Sequence, residues 1–347
     1  MKILYSGVQY ANYAPHKGLS FEHRNFCSAL TAMPGVEVVY VPFDRILEVG
    51  TKKFNEELLE AVRREKPDLF FCFMYSEEFE QGVLAEMRKY TTTMAWFGDD
   101  YWRFWNYSRR WAPHFDWVVT TSAEAARWYA EVGHMNVIHS QWACNTAEYK
   151  PVAPPPEKDI EVSFVGQRRS GRARMVTALR GAGIHVACFG SGWEKGRVSH
   201  EEMLRVFGRS AISLNLAERK RLWDPSVVAR IFLKKSVNRI VPDFHILDNL
   251  RAWRHFSIPH IHARPFELAG CRAFVLSSYV EGIEAYYEPD KEMVFYRSVP
   301  ECIEKIRYFL AHEGEREAIA RAGYERTLRD HTWEKRFGDI FVRIGLR

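Results

Sequence analysis

One short segment, Arg264-Pro265-Phe266-Glu267, places a guanidinium, a proline and a carboxylate in one predicted first turn of a helix. Proline suits the first helical position, and an acid in the first turn complements the helix dipole. No Ser, Thr, Asp or Asn precedes Pro265, so we expect the free N–H groups to bind water or an anion. A diphosphate would fit beside Arg264, and Glu267 could then accept ribose hydroxyls. Gly270 allows close approach of this helix to a neighbour or a ligand.

A second group follows a predicted strand that ends at Gly166. The turn after this glycine contains Arg168, and the helix that begins there contains Arg172. A strand, a glycine turn and a helix N-terminus present N–H groups to an anion, and arginine adds paired donors that match phosphate. The spacing is neither GxGxxG nor a Walker motif. A phosphate site and a solvated basic helix face therefore both stay open.

An aromatic and acidic stretch follows another predicted strand. Its central residues are Asp99, Asp100, Tyr101 and Trp102. Aromatic faces stack on sugar rings and carboxylates orient hydroxyls, so the stretch could bind an acceptor. An aromatic core with a turn-forming Asp pair is an equally open interpretation. A metal site would need further oxygen or imidazole ligands nearby, and we predict none.

Histidines supply the remaining candidates. His16 lies in the loop after the first strand, near Tyr13, where an acceptor-binding residue or a catalytic base could stand. His255, His260 and His262 cluster before Arg264, but their spacing matches no usual zinc pattern. We therefore predict neither a metal nor a cofactor.

Composition narrows the class of protein. The 347 residues suit two domains, and 49 Lys and Arg against 44 Asp and Glu give a net charge of +5. This balance indicates no nucleic-acid partner, but it suits a pocket for an anionic small molecule. The six cysteines form no CxxC pair. Neither a signal peptide nor an apolar run of spanning length is visible, so we predict a cytoplasmic protein without a membrane span. The oligomeric state stays open.

Alternation of short strands and helices predicts the fold class, which is α/β with two Rossmann-like, doubly wound domains facing a cleft. Predicted strands start near residues 3, 36, 69, 94, 117, 137, 160, 184, 211, 273 and 293. The domains are predicted at 1–150 and 159–330, with a proline-rich linker at 151–158. Residues 331–347 form a predicted helix that could pack back on the first domain. The alternation fails at 217–262, which we interpret as an irregular insertion facing the cleft.

Several motifs together resemble the CgeB-like, spore-maturation type of glycosyltransferase. In the first half the similar motif is Trp96-Phe97-Gly98-Asp99-Asp100. In the second half the similar motifs are Phe164-Val165-Gly166, Phe189-Gly190-Ser191-Gly192-Trp193, Gly196-Arg197-Val198-Ser199, Leu214-Asn215-Leu216, Arg264-Pro265-Phe266-Glu267, Phe274-Val275-Leu276, Glu292-Met293-Val294-Phe295-Tyr296, Ala318-Ile319-Ala320-Arg321-Ala322-Gly323 and His331-Thr332-Trp333. The resemblance covers most of the chain except 217–262. It implies a GT-B fold related to glycosyltransferase family 4.

The resemblance also implies roles for single residues. It implies a nucleotide-sugar in the second domain and an acceptor in the first. Glu267 would bind the ribose, Arg264 would lie by the diphosphate, and Arg168 and Arg172 would correspond to a basic pair. The other residues expected to bind the donor are Gly166, Gly190, Trp193, Arg197, Val198, His262 and Phe266. The broader family-4 pattern has a second glutamate eight positions before Glu267, where this chain has Pro259.

The expected activity is metal-independent, retaining transfer of a sugar from a UDP- or GDP-type donor to a saccharide or another small hydroxylated acceptor. Arg168, Arg172 and Arg264 would stabilise the leaving diphosphate. Two alternatives stay open. One is an inverting GT-B transferase with His16 or Asp100 as base, and the other is a nucleotide-sugar-binding protein without catalysis.

Overall fold

A computed structural model describes residues 1–217 and 221–346. In chain order the strands are β1 Lys2–Gly7, β2 Glu37–Pro42, β3 Leu69–Phe73, β4 Thr92–Phe97, β5 Trp117–Thr120, β6 Val137–His139, β7 Ile160–Val165, β8 Val186–Phe189, β9 Ser210–Asn215, β10 Leu233–Ser236, β11 Arg239–Pro242, β12 Val275–Ser278 and β13 Val294–Tyr296. The α-helices are α1 Ser28–Ala32, α2 Ile46–Glu65, α3 Gln81–Met87, α4 Asp100–Arg103, α5 Arg109–Trp111, α6 Ala123–Glu131, α7 Ser170–Gly181, α8 His200–Arg209, α9 Pro225–Val228, α10 Ile246–His255, α11 Arg264–Gly270, α12 Val299–Ala311, α13 Glu313–Asp330 and α14 Trp333–Arg343. Two π-helical turns, His23–Cys27 and Phe104–Ser108, precede α1 and α5.

The chain divides into two compact units. The first comprises the described residues of Met1–Gln141, Lys220–Ile258 and Trp333–Arg347, and the second comprises Trp142–Arg219 and Pro259–Thr332, again for the described residues. Each unit has its own parallel sheet, so the predicted α/β class with two doubly wound domains is confirmed.

The first unit is built on a six-stranded sheet of order β2-β1-β3-β4-β5-β6, with every neighbouring pair parallel. Its central strand β3 reads Leu-Phe-Phe-Cys-Phe and is buried along its whole length. Such a strand is apolar on both sides because helices cover both faces of a parallel sheet.

The second unit is built on a five-stranded parallel sheet of order β13-β12-β9-β7-β8. Read from its other edge, β8-β7-β9-β12-β13, this is the order 2-1-3-4-5, the same as in the first five strands of the first unit. The winding therefore reverses between β1 and β3 in one unit and between β7 and β9 in the other. Ligands of doubly wound sheets bind at the carboxyl ends of the strands beside such a reversal.

Two expected boundaries differ from the structure. Residues 221–258 form α9, the β10–β11 hairpin and α10, and they belong to the first unit instead of the second. The hairpin tip explains this, because buried Val237 packs in the core of the first unit and its N–H donates to Ser76 Oγ at 2.8 Å. Residues 218–220 of the expected insertion lie outside the described residues.

The proline-rich segment does not mark the boundary, which falls between Gln141 and Trp142. The segment instead packs on the second unit. Pro156 lies against Gly208 of α8, and Lys158 Nζ donates to the Ser210 carbonyl at 3.1 Å. At the other end of the chain, α14 packs in the first unit, where Trp333 Nε1 donates to Asn25 Oδ1 at 3.0 Å.

Candidate functional site

In the second unit the ends of β7 and β8 meet through two glycines. A Cβ on Gly190 would lie 2.3 Å from the Gly166 carbonyl oxygen, and Gly190 has φ of +123°. Only glycine fits such a contact and such a backbone. The Gly166 carbonyl accepts Trp193 Nε1–H at 2.9 Å, and Trp193 is buried in the core of the unit. The indole of Trp193 is therefore fixed in the core of the unit, and the ligand contact that the resemblance implies for it stays a prediction.

Two arginines lie at this edge in different environments. Arg168 is exposed, and its guanidinium lies 5.7 Å from the Trp193 ring centroid. Arg172 Nε donates to the Leu216 carbonyl at 3.2 Å, and its Nη1 donates to the Gln167 carbonyl at 3.1 Å. Arg172 thus joins the end of β7 to the end of β9, where the winding reverses. Arg168 is the guanidinium of this pair with more surface to offer an anion.

Arg197 and Val198, which were also predicted to bind the donor near Gly190, differ in their exposure. Arg197 is exposed. Val198 packs against a small apolar cluster of Ala187, Phe189 and Val206. The loop brings Arg197 to the surface and fixes its neighbour in the unit.

Helix α11 begins at Arg264, one residue before the predicted start. The N–H groups of Phe266 and Glu267 both donate to the Ala263 carbonyl, at 3.0 and 3.1 Å. Pro265 has no N–H to satisfy. Most of the first turn is therefore satisfied by the backbone, and fewer donors remain for a ligand than the missing side-chain cap predicted.

The acid of this helix is held by the arginine one turn before it. Glu267 is only 3% exposed, and its Oε2 lies 2.8 Å from Arg264 Nη1. The Arg264 side chain is 28% exposed and also contacts α8, with Nη1 3.4 Å from Met203 Sδ and its guanidinium 5.5 Å from the Phe207 ring centroid. The result is a buried carboxylate fixed to a partly exposed guanidinium.

The remaining residues of this segment serve packing. A Cβ on Gly270 would lie 2.2 Å from Cys144 Sγ, so the close approach is to a neighbour. Phe266 is fully buried among the rings of Tyr286, Tyr287 and His331. His262 stacks on His260 at 4.1 Å between ring centroids.

In the first unit the two aspartates after β4 point to different environments. Asp99 is exposed, whereas Asp100 is fully buried and accepts the Tyr129 hydroxyl at Oδ2, 3.0 Å away. Burial raises the pKa of Asp100 to about 7, although hydrogen bonds from Ser108, Thr120 and Tyr129 oppose the rise. Asp100 has no surface on which to contact an acceptor, and Asp99 is the accessible member of the pair.

Two aromatic residues, Tyr101 and Trp102, follow this pair on α4. Tyr101 is buried. The Trp102 ring lies 4.6 Å from the Phe256 ring, and the Arg230 guanidinium lies 5.0 Å from the Trp102 ring centroid. The contacts of Tyr101 and Trp102 therefore favour the interpretation of this stretch as an aromatic core.

Tyr13 belongs to a buried polar network after β1 and β3. Its hydroxyl donates to Glu78 Oε1 at 2.8 Å, and Ser76 Oγ donates to the same oxygen at 2.6 Å. Burial raises the pKa of both Glu78 and Tyr13. Tyr13 has φ of +60°, which is uncommon for a residue other than glycine and is often found at functional sites. His16 lies further along the same loop and is exposed.

Three polar residues beside this network, Glu22, Tyr75 and Lys235, were not predicted from the sequence. Lys235, from the β10–β11 hairpin, donates to the Tyr75 hydroxyl at 3.0 Å. Burial raises the pKa of Glu22 to about 6, with Asp99 adding to the rise and Lys235 opposing it. Burial lowers the pKa of Lys235. Tyr75 and Glu78 lie in the loop after β3, so polar residues in the loop after a buried strand were the available signal.

Within residues 1–217 and 221–346, His, Cys, Asp and Glu side chains form no group of three that could hold a metal ion. No helix in the same ranges is long and apolar enough to cross a bilayer.

Comparison with known proteins gives a match in sequence over part of the chain and matches in structure over almost all of it. Residues 237–341 match a family described as glycosyl transferase-like. No curated protein matches the chain in sequence.

The solved structures described here have similar folds and are distant in sequence. Sucrose-phosphate synthase from Thermosynechococcus elongatus is 13% identical, with a TM-score of 0.63 and 99% of each chain covered. A glycosyltransferase from Rickettsia africae is 8% identical, with a TM-score of 0.61, covering 99% of this chain and 98% of that one. HepE from Anabaena, in complex with UDP and glucose, is 11% identical, with a TM-score of 0.60 and 99% of each chain covered. The chain therefore has the GT-B fold of these transferases, and its residues 237–341 match the glycosyl transferase-like family.

Proposed function

We propose that the protein is a glycosyltransferase that moves a sugar from a UDP- or GDP-type donor to a hydroxyl of a saccharide or another small acceptor. The observation that carries this proposal is the buried Glu267 carboxylate, fixed 2.8 Å from Arg264 in a GT-B fold. HepE from Anabaena has also been solved in complex with UDP-glucose, and we extend that class of donor to this chain.

In this proposal the second unit binds the donor. Glu267 accepts hydrogen bonds from the ribose hydroxyls, and the partly exposed Arg264 guanidinium lies beside the diphosphate. Exposed Arg168 supplies a second guanidinium at the end of β7. Negative charge grows on the diphosphate as the glycosyl–phosphate bond breaks, and fixed guanidinium groups stabilise that charge. The proposed reaction therefore needs no metal ion.

The first unit binds the acceptor in the same proposal. Exposed Asp99 and His16 are the predicted residues with accessible polar atoms. They lie in the loops after β4 and β1, and the second of these loops is beside the reversal of the first sheet. Carboxylate and imidazole groups there can orient an acceptor hydroxyl.

We also propose the CgeB-like assignment and retention at the anomeric carbon. In a retaining front-side reaction the leaving diphosphate takes the acceptor's proton, so the enzyme needs no dedicated base. The burial of Asp100 removes one of the two bases predicted for an inverting reaction, and exposed His16 is the other. The product's anomeric coupling in NMR would distinguish retention from inversion.

The first experiment is a thermal-shift screen with UDP, GDP, UDP-sugars and GDP-sugars. A ligand that binds only the folded state raises the melting temperature by mass action. At a ligand concentration of about a hundred times Kd, the free energy of unfolding increases by about 2.7 kcal/mol. We expect a UDP or GDP compound to give the largest shift. AMP and inorganic phosphate are the controls for binding of any nucleotide or any anion.

Mass spectrometry of donor and acceptor pools then tests catalysis. We expect release of the nucleoside diphosphate and a glycosylated product from at least one acceptor. Binding of a donor without transfer or hydrolysis across a broad panel would instead identify a nucleotide-sugar-binding protein. The absence of a shift with every nucleotide would contradict the proposal as a whole.

A further inference from the structure

Residues 221–258 expose an unusual number of large apolar side chains. Phe244 is 87% exposed, Trp223 80%, Leu247 79% and Ile240 75%, and Phe232 is more than half exposed. Isolated exposed apolar residues are ordinary, but a concentration of them marks an interaction surface.

Helix α10 shows how this surface is organised. Its inward side contains buried Asn249 and Ala252, and Asp248 forms ion pairs with Arg109 and Arg110 at 2.5 and 2.6 Å. The outward side has Leu247, Leu250, Arg251 and Arg254, all exposed and spaced three or four residues apart. Such spacing places them on one face of the helix.

The hairpin before α10 adds to the same surface. The Asp243 N–H donates to the Phe232 carbonyl at 2.7 Å, so Phe232 and Phe244 lie on neighbouring chain segments. Trp223 contacts the helix through Trp253, with 5.3 Å between ring centroids. The cationic apolar face is defined here by Trp223, Phe232, Phe244, Leu247, Leu250, Arg251 and Arg254.

In this segment the exposed charged side chains are basic, whereas the acidic side chains are buried or paired. Among the described residues 221–258, every exposed ionisable side chain is basic, namely Arg221, Arg230, Lys235, Arg239, His245, Arg251 and Arg254. The three acids are turned inward or paired. Asp243 is buried and bonded to His245, Asp248 is paired with two arginines, and Asp224 caps α9 through the Ser226 N–H.

We propose that the cationic apolar face docks on the surface of an anionic lipid bilayer. Such a bilayer binds proteins in two ways. Apolar side chains enter the boundary between headgroups and acyl chains, and arginines contact the anionic headgroups. Tryptophan is favoured at the same depth. A second copy of the chain is a poorer partner, because a twofold contact would place these arginines against one another. A nucleic acid would leave the aliphatic side chains without a partner.

The test is co-sedimentation of the full chain with vesicles. One set is phosphatidylcholine and the other contains about 30 mol% phosphatidylglycerol. We expect binding to the anionic set that weakens as salt rises, since exposed charges are screened. Arg251→Ser with Arg254→Ser should weaken binding about fivefold for each arginine. Phe244→Ser with Leu247→Ser should weaken binding by at least about tenfold.

Matched controls come from the same unit. Met135 is 75% exposed and Arg127 is exposed on α6, and both lie outside residues 221–258. Met135→Ser and Arg127→Ser should bind vesicles as the wild-type chain does, and circular dichroism checks that all variants fold. No binding to the anionic vesicles, or equal binding by the Phe244 and Leu247 variant, would overturn the proposal. Light scattering gives a third overturning result: a dimer that this variant dissociates, without vesicle binding. No nucleotide is used, so the outcome is separate from that of the proposed transferase activity.

Discussion

Asp100 and Glu267 are both buried acids in the first turn of a short helix, but their partners differ. Glu267 faces a guanidinium at 2.8 Å, whereas Asp100 receives a neutral phenol from Tyr129 at 3.0 Å. Burial raises the pKa of Asp100 to about 7. A carboxylate fixed to a cation beside accessible surface suits binding of ribose and diphosphate. A carboxyl group enclosed with a phenol suits a structural role.

The sheet edges of the two units differ in a related way. In the second unit glycines bring strand ends together, and arginines occupy the edge where the winding reverses. In the first unit tyrosines and acids occupy the equivalent edge. A donor with a diphosphate needs the first kind of edge, and a neutral hydroxylated acceptor fits the second.

Loss of Arg264 should have the largest effect on stability. Arg264→Ala leaves the buried Glu267 carboxylate without its cation, and we expect the free energy of unfolding to fall by about 3–4 kcal/mol. Urea unfolding measures this. Arg264→Met combined with Glu267→Gln should recover much of the loss, because neither charge is then left alone. An Arg264→Ala variant as stable as wild type would mean that the pair contributes little to holding Glu267.

A methyl group on Gly270 should disturb the helix that carries Glu267. The added Cβ would lie 2.2 Å from Cys144 Sγ, so Gly270→Ala should lower the free energy of unfolding by about 2–3 kcal/mol. Cys144→Ala removes the sulfur and leaves the next contacts at 3.4 Å, so the double variant should be more stable than Gly270→Ala alone. Additive losses in the double variant would show that the two residues do not meet. Gly314→Ala is the control, since its Cβ would meet nothing within 4 Å.

Asp100 should make stability fall as pH rises. Its folded pKa of about 7 lies above its ordinary value of 3.8, so the folded state holds the proton more tightly than the unfolded state. Between these values the unfolded state has fewer bound protons, and the free energy of unfolding therefore decreases with pH. Asp100→Asn should remove a decrease on the order of 2 kcal/mol between pH 5 and pH 8. Urea unfolding across this range measures it, and an unchanged slope in the variant would contradict the assignment. Asp99→Asn is the exposed control and should leave the slope as it is.

Much of the fold could be predicted because hydrophobic runs of strand length were separated by helical patterns. The runs at Leu69–Phe73 and Ile160–Val165 appear as strands where expected. Assignment of residues 221–258 to the first unit could not be predicted, because it depends on where Val237 packs after a long excursion of the chain. The prolines at 154–156 looked like a linker, because the packing of Pro156 on Gly208 is a tertiary contact that the local sequence does not show.

The candidate site was predictable in residue type more than in orientation. Arg264 and Glu267 were recognised by their spacing, and one helical turn does bring their side chains together. Adjacent residues such as Asp99 and Asp100 gave no sign of which side chain turns inward. The burial of Trp193 and Phe266 could not be predicted from residue type, because aromatic residues serve both packing and binding.

Calorimetric titration of UDP and GDP into wild type, Glu267→Gln and Asp100→Asn tests the central claim most directly. Gln keeps the size of Glu267 and loses its charge, and a hydrogen bond to a charged group contributes about 1.5–3 kcal/mol. We expect Glu267→Gln to bind the nucleotide at least about tenfold more weakly, with Asp100→Asn unchanged. Wild-type affinity in Glu267→Gln, at a preserved melting temperature, would contradict the assignment of Glu267 to the donor.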